Sequence, residues 1–386
     1  MPAAAVTSPA ILIAAFSGRA LAQSAQRAGF LPLVVDCFGD EDLRAGAHAW
    51  RALPARVQVG FRRRALLAAL DELAAAAPAP IVGLVLGAGF ECNPALVAAL
   101  AERYTILGND ARTIQQVKDP STFFGTLADL GIRHPETQTA PPSSSAGWLM
   151  KRVGGSGGLH IHRCPDQVRP DRRRYFQREI AGEAISAMMI RSGATSAYAF
   201  SRQWTNPQPR RPFRYGGAVG WVRLDADVEA RIIDICLQLG RTFSLSGMVS
   251  FDFLVRDGEP LLLEINPRPG ATLDVLDDAN GTLFAAHVAA TSGQDAAQVV
   301  SAQFRQFAPR AAAYLYADRG PLTIPAITWP VWSADRPAPG TRVERGQPIA
   351  TVMADAASSA QAEARCRERL SLLEDLLYQP RNAEEP

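Results

Sequence analysis

Over its first hundred residues the chain alternates short apolar runs with stretches of helical periodicity. Residues 11–16 and 31–35 read as strands around a helix over 20–28. After a basic, alanine-rich helix at 62–76 come a strand at 81–86, a helix near 94–103 and a strand at 105–107. This rhythm predicts a small, mostly parallel open sheet with helices on its faces. Residues 110–137 predict two short helices, with Lys118 near the start of one, and the polar loop 140–146 leads into a strand at 148–152. Strands follow near 175–180, 185–191, 196–203, 247–256 and 261–266, with a helix over 227–243. Beyond about residue 305 the text turns short-stranded and proline-rich (311–316, 326–330, 348–353), and a helix over 358–377 closes it. The fold class expected is therefore α/β followed by α+β. Its parts are an α/β domain at 1–109, a mixed domain at 110–300 (small lobe about 110–182, large lobe about 183–300), a strand-rich segment with a helix at 301–378 that completes the large lobe, and a disordered tail at 379–386.

Composition narrows the partners. Hydrophobic residues make up 47% and charged residues 20%, with a formal net charge of +2, so nothing draws the chain to nucleic acid or to an anionic membrane. No apolar run reaches the ~20 residues that span a bilayer, and residues 1–9 lack the basic stretch of a signal peptide. The five cysteines are scattered without a CxxC pair, which points away from a disulfide framework or a zinc site and towards the cytoplasm. A homo-oligomer is compatible with all of this.

Lysine is almost absent. Of 40 basic residues only Lys118 and Lys151 are lysine, so both read as positions that arginine cannot fill. A compact ammonium fits between phosphate oxygens where a planar guanidinium does not. Lys151 closes a strand that runs into Gly154, Gly155, Ser156, Gly157 and Gly158. Successive glycines let backbone N–H groups converge on one anion. The lysine precedes the glycines and no GK[ST] follows, so this is no Walker A motif; a flexible linker could look the same, but a linker rarely follows an apolar strand carrying one of only two lysines. A mobile loop that closes over a triphosphate is the expectation.

A second constellation runs from Ser250 to Gly270. Two apolar strands flank Asp257-Gly258, a hairpin signal. With a loop at 257–259, Arg256 pairs with Pro260 and Asp252 falls opposite Glu264, with Asn266 on the same face. Two carboxylates and an amide oxygen among hydrophobic neighbours predict a Mg²⁺ site, because unpaired they would repel one another. Arg268, locked between Pro267 and Pro269, is a mount for a cation that stabilises developing charge. A third, weaker constellation, Gln177, Glu179, Ile180 and Glu183, forms a strand ending in a turn. Asp36 ends a strand as a dinucleotide-binding acid would, but the first turn lacks GxGxxG, so a dinucleotide site is not expected. Gly87–Glu91 follows a strand end, where open sheets bind ligands, and reads equally as a glycine-rich turn. The basic loop 209–215 reads either as a receiver of anionic substrate or as a solvated surface.

The order of these features resembles the ATP-grasp superfamily over about residues 110–300, most strongly at Glu264-Ile265-Asn266-Pro267-Arg268, with residues 1–109 similar to the pre-ATP-grasp domain. The resemblance implies a nucleotide held between two lobes. Lys118, Lys151 and the loop Gly154, Gly155, Ser156, Gly157 and Gly158 would bind its phosphates. Gln177, Glu179 and Ile180 would lie at its adenine and Glu183 at its ribose. Asp252, Glu264 and Asn266 would hold one or two Mg²⁺, with Mn²⁺ admissible. Arg268 and Lys151 are the catalytic candidates, Arg268 near an acyl-phosphate. The implied activity is ATP-dependent joining of a small-molecule carboxylate to an amine. Leu159-His160-Ile161 stands where a third glycine is common, and His160 and His162 are expected at the surface rather than on a metal. Shorter phrases (33–40, 87–91 and 332–337) look closest to predicted carboligases related to biotin carboxylase. These include tyramine–glutamate ligase-like proteins of methanofuran-type cofactor synthesis in one-carbon metabolism. Rival readings are an ATP-grasp small-molecule kinase, a carboxylase-like carboligase and a non-catalytic ATP-binding regulatory or scaffold protein.

Overall fold

The uniformly apolar first strand finds both of its faces covered. In the computed structural model, which describes residues 8–55, 59–294 and 308–379, β1 (Ala10–Ala14) lies between β2 (Leu31–Asp36) and a later strand at Ile81–Leu86, with β3 (Ala49–Ala52) outside β2. The Ile81–Leu86 strand is β4, and all three pairings are parallel. Ile11 and Ile13 face α1 (Arg19–Arg27), whereas Leu12 and Ala14 face α3 (Arg63–Ala75) and α4 (Pro94–Ala101). Burial on both sides explains the unbroken hydrophobic run, since alternation serves only a strand with one wet face. The strand expected at 105–107 shrinks to a single parallel bridge, Leu84 to Ile106. β3 and the short helix α2 (Glu41–Gly46) carry no periodic stripe and were not expected.

Two helices follow, α5 (Ala111–Lys118) and α6 (Pro120–Asp129). Asp110 and Asp119 cap them, accepting the backbone N–H of Thr113 and Thr122. Lys118 is the last residue of α5 rather than near the start of a helix, because Asp119 and Pro120 break the chain there. A four-stranded sheet then forms in the order β5-β8-β6-β7 from β5 (Thr137–Gln138), β6 (Trp148–Arg152), β7 (Ile161–Arg163) and β8 (Arg174–Arg178).

The remaining strands build one large antiparallel sheet. Its members are β9 (Glu183–Ser192), β10 (Thr195–Thr205), β11 (Tyr215–Gly220), β12 (Gly247–Arg256), β13 (Glu259–Asn266), β14 (Arg310–Tyr316), β16 (Ser333–Ala334) and β18 (Pro348–Asp355), in the order β13-β12-β9-β10-β11-β14-β18-β16. A two-stranded ribbon, β15 (Leu322–Thr323) with β17 (Arg342–Val343), sits apart. Helix α7 (Ala226–Thr242) covers one face. Against the other face, α8 (Leu273–Leu276) and α9 (Thr282–Thr291) share a core with α1 and β1, so the two sheets are fused through one apolar layer. The last helix, α10 (Ser359–Tyr378), packs on β14 and β18. No strand forms at 326–330, where Pro325 and Pro330 remove ladder donors at both ends, and β16 takes the sheet edge instead. Of the expected tail 379–386, only Gln379 lies within the described residues. Among those residues no helix is long and apolar enough to cross a membrane.

A single buried cation ties the sheets together. Arg19 is 2% exposed and grips Asp274 of α8 through both terminal nitrogens, at 2.5 and 2.7 Å. It also donates to both oxygens of Asp335, just beyond β16, at 3.0 and 2.9 Å. Removing it would strand two carboxylates in the interior. Arg19→Met is therefore expected to lower unfolding free energy by about 3–5 kcal/mol, read by chemical denaturation. A loss within ordinary surface values would contradict this role.

Candidate functional site

The acidic hairpin is built around a two-residue turn. Asp257 and Gly258 both have positive φ, 52° and 74°, the signature of a turn whose twist matches its strands. The loop is thus one residue shorter than expected, and Arg256 pairs with Glu259, not Pro260. Continued without interruption, that register would place Asp252 opposite Leu263 and turn Glu264 to the other face. A bulge at Leu263 restores it, and Asp252 does pair with Glu264. The expected pairing is correct although the expected turn is not.

On that face the side chains interlock. Lys118 Nζ donates to Glu264 Oε2 at 3.2 Å and to Asn266 Oδ1 at 2.9 Å. Asn266 Nδ2 donates to Asp252 Oδ2 at 3.0 Å, and Ser186 on β9 donates to Asp252 Oδ1 at 2.6 Å. Burial, then the facing Glu264, pushes the Asp252 carboxyl above its ordinary range. Burial would raise Glu264 as well, but Lys118, then His160 and Lys151, outweigh it and hold Glu264 low. Glu264 remains 31% exposed, so its free side opens to the cleft. Among the described residues no three His, Cys, Asp or Glu side chains converge as a metal cage. A divalent ion here would have two carboxylates and an amide from the protein, and its other ligands would come from phosphate or water, the usual habit of Mg²⁺.

The glycine-rich loop borders the Lys118–Glu264 end of this group. Gly154, Gly155, His160, Tyr175, Lys118 and Glu264 line one cavity. Gly154 (φ +66°) and Gly158 (φ +71°) leave no room for side chains, since a Cβ on Gly158 would lie 1.7 Å from the Phe213 carbonyl oxygen. Ser156 and Gly157 form the crest of the loop, and Gly157 is exposed. Lys151 points beneath the loop, where Nζ donates to Gln177 Oε1 at 2.6 Å, and Gln177 in turn donates to Thr137. Burial pulls the Lys151 ammonium down to about 8 against the attraction of Glu264 and Asp252.

His160 departs from expectation. It is 7% exposed rather than at the surface, because the absence of side chains at Gly155 lets its ring pack flat on the loop. Burial drives it to about 4, so it is neutral, and its Nδ1 has no hydrogen-bond partner. Glu179 turns to Arg163 at 3.0 Å and Glu183 to Arg202 at 3.6 Å, while Ile180 lies between them where β8 hands over to β9. Arg268 reaches back to the first sheet and pairs with Glu91 at 2.6 Å. In the basic loop, Arg214 is buried against Asp318 and Tyr316, which makes it a structural residue. Asp36 accepts the backbone N–H of Phe38 and Gly39 and so closes its own turn. Sequence reasoning overlooked Ser186, whose place opposite Asp252 depends on β9–β12 register, and Glu91 as a partner of Arg268.

The comparisons with known proteins agree with this fold. Residues 117–272 match the ATP-grasp domain family. An uncharacterised protein of Methanocaldococcus jannaschii is 21% identical over 365 residues, spanning 89% of this chain and 87% of that protein. The crystal structure of an L-amino acid ligase from Bacillus licheniformis is 14% identical, with a TM-score of 0.70 over 95% of this chain and 98% of that one. Biotin carboxylase from Campylobacter jejuni, solved as an ATP complex, is 14% identical with a TM-score of 0.65, covering 92% of this chain and 89% of that one. Residues 117–272, which carry both lysines, the glycine loop and the paired acids, are thus an ATP-grasp domain, and the chain as a whole shares the fold of ATP-dependent ligases.

Proposed function

We propose that the protein is an ATP- and Mg²⁺-dependent ligase that activates a small-molecule carboxylate as an acyl-phosphate and joins it to an amine. The observation that supports this best is the shared cleft. Lys118 lies on Glu264 and Asn266, Asp252 faces Glu264, and Gly154 and Gly155 of the glycine loop line one cavity with Lys118 and Glu264. Lys118 and Lys151 would bind phosphate oxygens under the backbone of Gly154, Gly155, Ser156, Gly157 and Gly158. The segment Gln177, Glu179 and Ile180, with Glu183, would receive the nucleoside. Asp252, Glu264 and Asn266 would hold Mg²⁺, or Mn²⁺ in its place, which when bound neutralises charge between the phosphates. The carboxylate oxygen attacks the γ-phosphorus and ADP leaves. The amine nitrogen then attacks the acyl carbon and inorganic phosphate leaves, with Arg268 beside the developing charge. The roof of the loop excludes water, which would otherwise hydrolyse the activated carboxylate.

An amino acid is the substrate class that the similarity to an L-amino acid ligase favours. The finer reading, tyramine–glutamate-type ligation in methanofuran-like cofactor synthesis, rests on the sequence phrases at 33–40, 87–91 and 332–337.

The activity test is ADP and inorganic phosphate release that requires a carboxylate and an amine together. A kinase would release ADP without phosphate, and Mg·ATP binding without any turnover over a broad substrate panel would leave a scaffold. Glu264→Gln is expected to lower kcat by about 10²-fold or more while the fold is retained. Normal turnover in that variant would remove the metal assignment.

Lys151 adds a pH dependence. Its apo value of about 8 is below the ordinary lysine range, and bound phosphate favours the protonated form. Below about pH 8 the ammonium is already present, and above it nucleotide binding must take up a proton. Mg·ADP affinity is therefore expected to weaken as pH rises from about 7 to about 9. Calorimetry should show proton uptake at the upper end, and Lys151→Met should bind weakly with a flat profile over that range. An affinity that strengthens with pH would contradict the assignment.

A further inference from the structure

The turn after β4 supplies the acid that holds Arg268, and it is built for that purpose. Glu91 is 4% exposed. Its Oε2 accepts the backbone N–H of Gly89 at 3.0 Å and of Phe90 at 3.1 Å, which clamps the carboxylate to its own turn. The turn itself is wedged: Phe90 stacks on Phe61 at 5.5 Å, and the Phe16 ring occupies the space a side chain at Gly89 would need. The other oxygen, Oε1, accepts Arg268 Nε at 2.6 Å, a short charge-assisted bond. Arg268 Nη1 donates to the Pro269 carbonyl at 3.2 Å, so two of the three guanidinium nitrogens are committed and its plane is set. On the other side Asn109 donates to the Pro267 carbonyl at 3.0 Å and fixes the backbone just before Arg268. Burial would raise the Glu91 carboxyl, but Arg268, then Lys118, keeps it ionised.

The same turn is also a footing for the triphosphate loop. A Cβ on Gly154 would lie 2.6 Å from both the Glu91 carbonyl oxygen and the Cys92 Cα, so loop and turn meet backbone to backbone. The loop and the arginine thus share one support in the first sheet, although they come from different lobes.

We propose that Glu91 is a positioning residue, aiming the Arg268 guanidinium at the carboxylate undergoing activation. This rests on the ligase reading of Arg268 above. Arginine has several rotamers of similar energy, and a misplacement of about 1 Å at a charge-stabilising group costs up to about 10²-fold in rate. A clamped carboxylate on a separate rigid element removes that freedom before substrate arrives.

The experiment is a double-mutant cycle with a spectroscopic control. Glu91→Gln keeps the size and the acceptor for the two N–H groups but loses the charge and the Nε acceptor. It is expected to lower kcat/KM for the carboxylate by about 10²-fold, with Mg·ADP affinity within about twofold of the wild type. In an Arg268→Met background the same change should have no further effect, because Glu91 acts only through the arginine. Equal losses in both backgrounds would mean that Glu91 merely stabilises the fold, and would overturn the proposal. Independently of turnover, the Arg268 Nε–H resonance, identified by its absence in Arg268→Lys, should be shielded from exchange in the wild type and exposed in Glu91→Gln. A resonance unaffected by Glu91→Gln also overturns the proposal. A wild-type protein with no turnover on any carboxylate–amine pair overturns the ligase reading instead, and the resonance still reports whether Glu91 orients Arg268.

Discussion

Two carboxylates face each other across paired strands, and inside a protein such a pair stays ionised only beside compensating positive charge. Asp252 and Glu264 meet this constraint through Lys118, whose ammonium bridges Glu264 and Asn266. The balance is uneven: Asp252 is pushed up and Glu264 held down, so the cluster is short of positive charge on the Asp252 side. A divalent cation arriving with phosphate would supply that charge and free the lysine for phosphate oxygens. In the proposed function the same atoms would serve both as the resting ion pair and as the site for a metal nucleotide.

Everything around the cluster bears on keeping those charges in register. The bulge at Leu263 turns Glu264 to the Asp252 face. The helix break at Asp119 and Pro120 leaves Lys118 at the end of α5, projecting over β13. Gly154 and Gly155 let the roof descend onto the turn that carries Glu91 and onto the His160 ring. Farther away, Arg19 joins α1, α8 and the segment after β16, so the first sheet cannot drift relative to the large one without separating buried charges. The support reaching Arg268 through Glu91 depends on that fixed relationship.

Much of this was legible in the sequence because local signals and tertiary needs agree. Three of the four parallel strands, β1, β2 and β4, announce themselves as apolar runs, and Asp257-Gly258 marks the hairpin. The scarcity of lysine singled out Lys118 and Lys151, both of which lie in or beneath the cleft. What escaped is what depends on register or long-range packing. A bulge leaves no trace in composition, and the Asp252–Glu264 pairing was reached only because a wrong turn length and an unseen bulge offset each other. His160 was misjudged because a histidine in a glycine-rich loop looks exposed until the missing side chains are seen as space for its ring. Ser186 and Glu91 act across elements far apart in the chain, and no local pattern joins them to Asp252 or Arg268.

The central claim is that the Asp252–Glu264 pair is the metal site and that Lys118 is its resting substitute. Anomalous diffraction from crystals grown with Mn²⁺ and a non-hydrolysable ATP analogue tests it most directly. The account predicts an anomalous peak against the oxygens of Glu264 and Asp252, with the Lys118 ammonium moved from Glu264 onto the phosphates. A triphosphate bound with its Mn²⁺ elsewhere, and Lys118 still seated on Glu264, would contradict it.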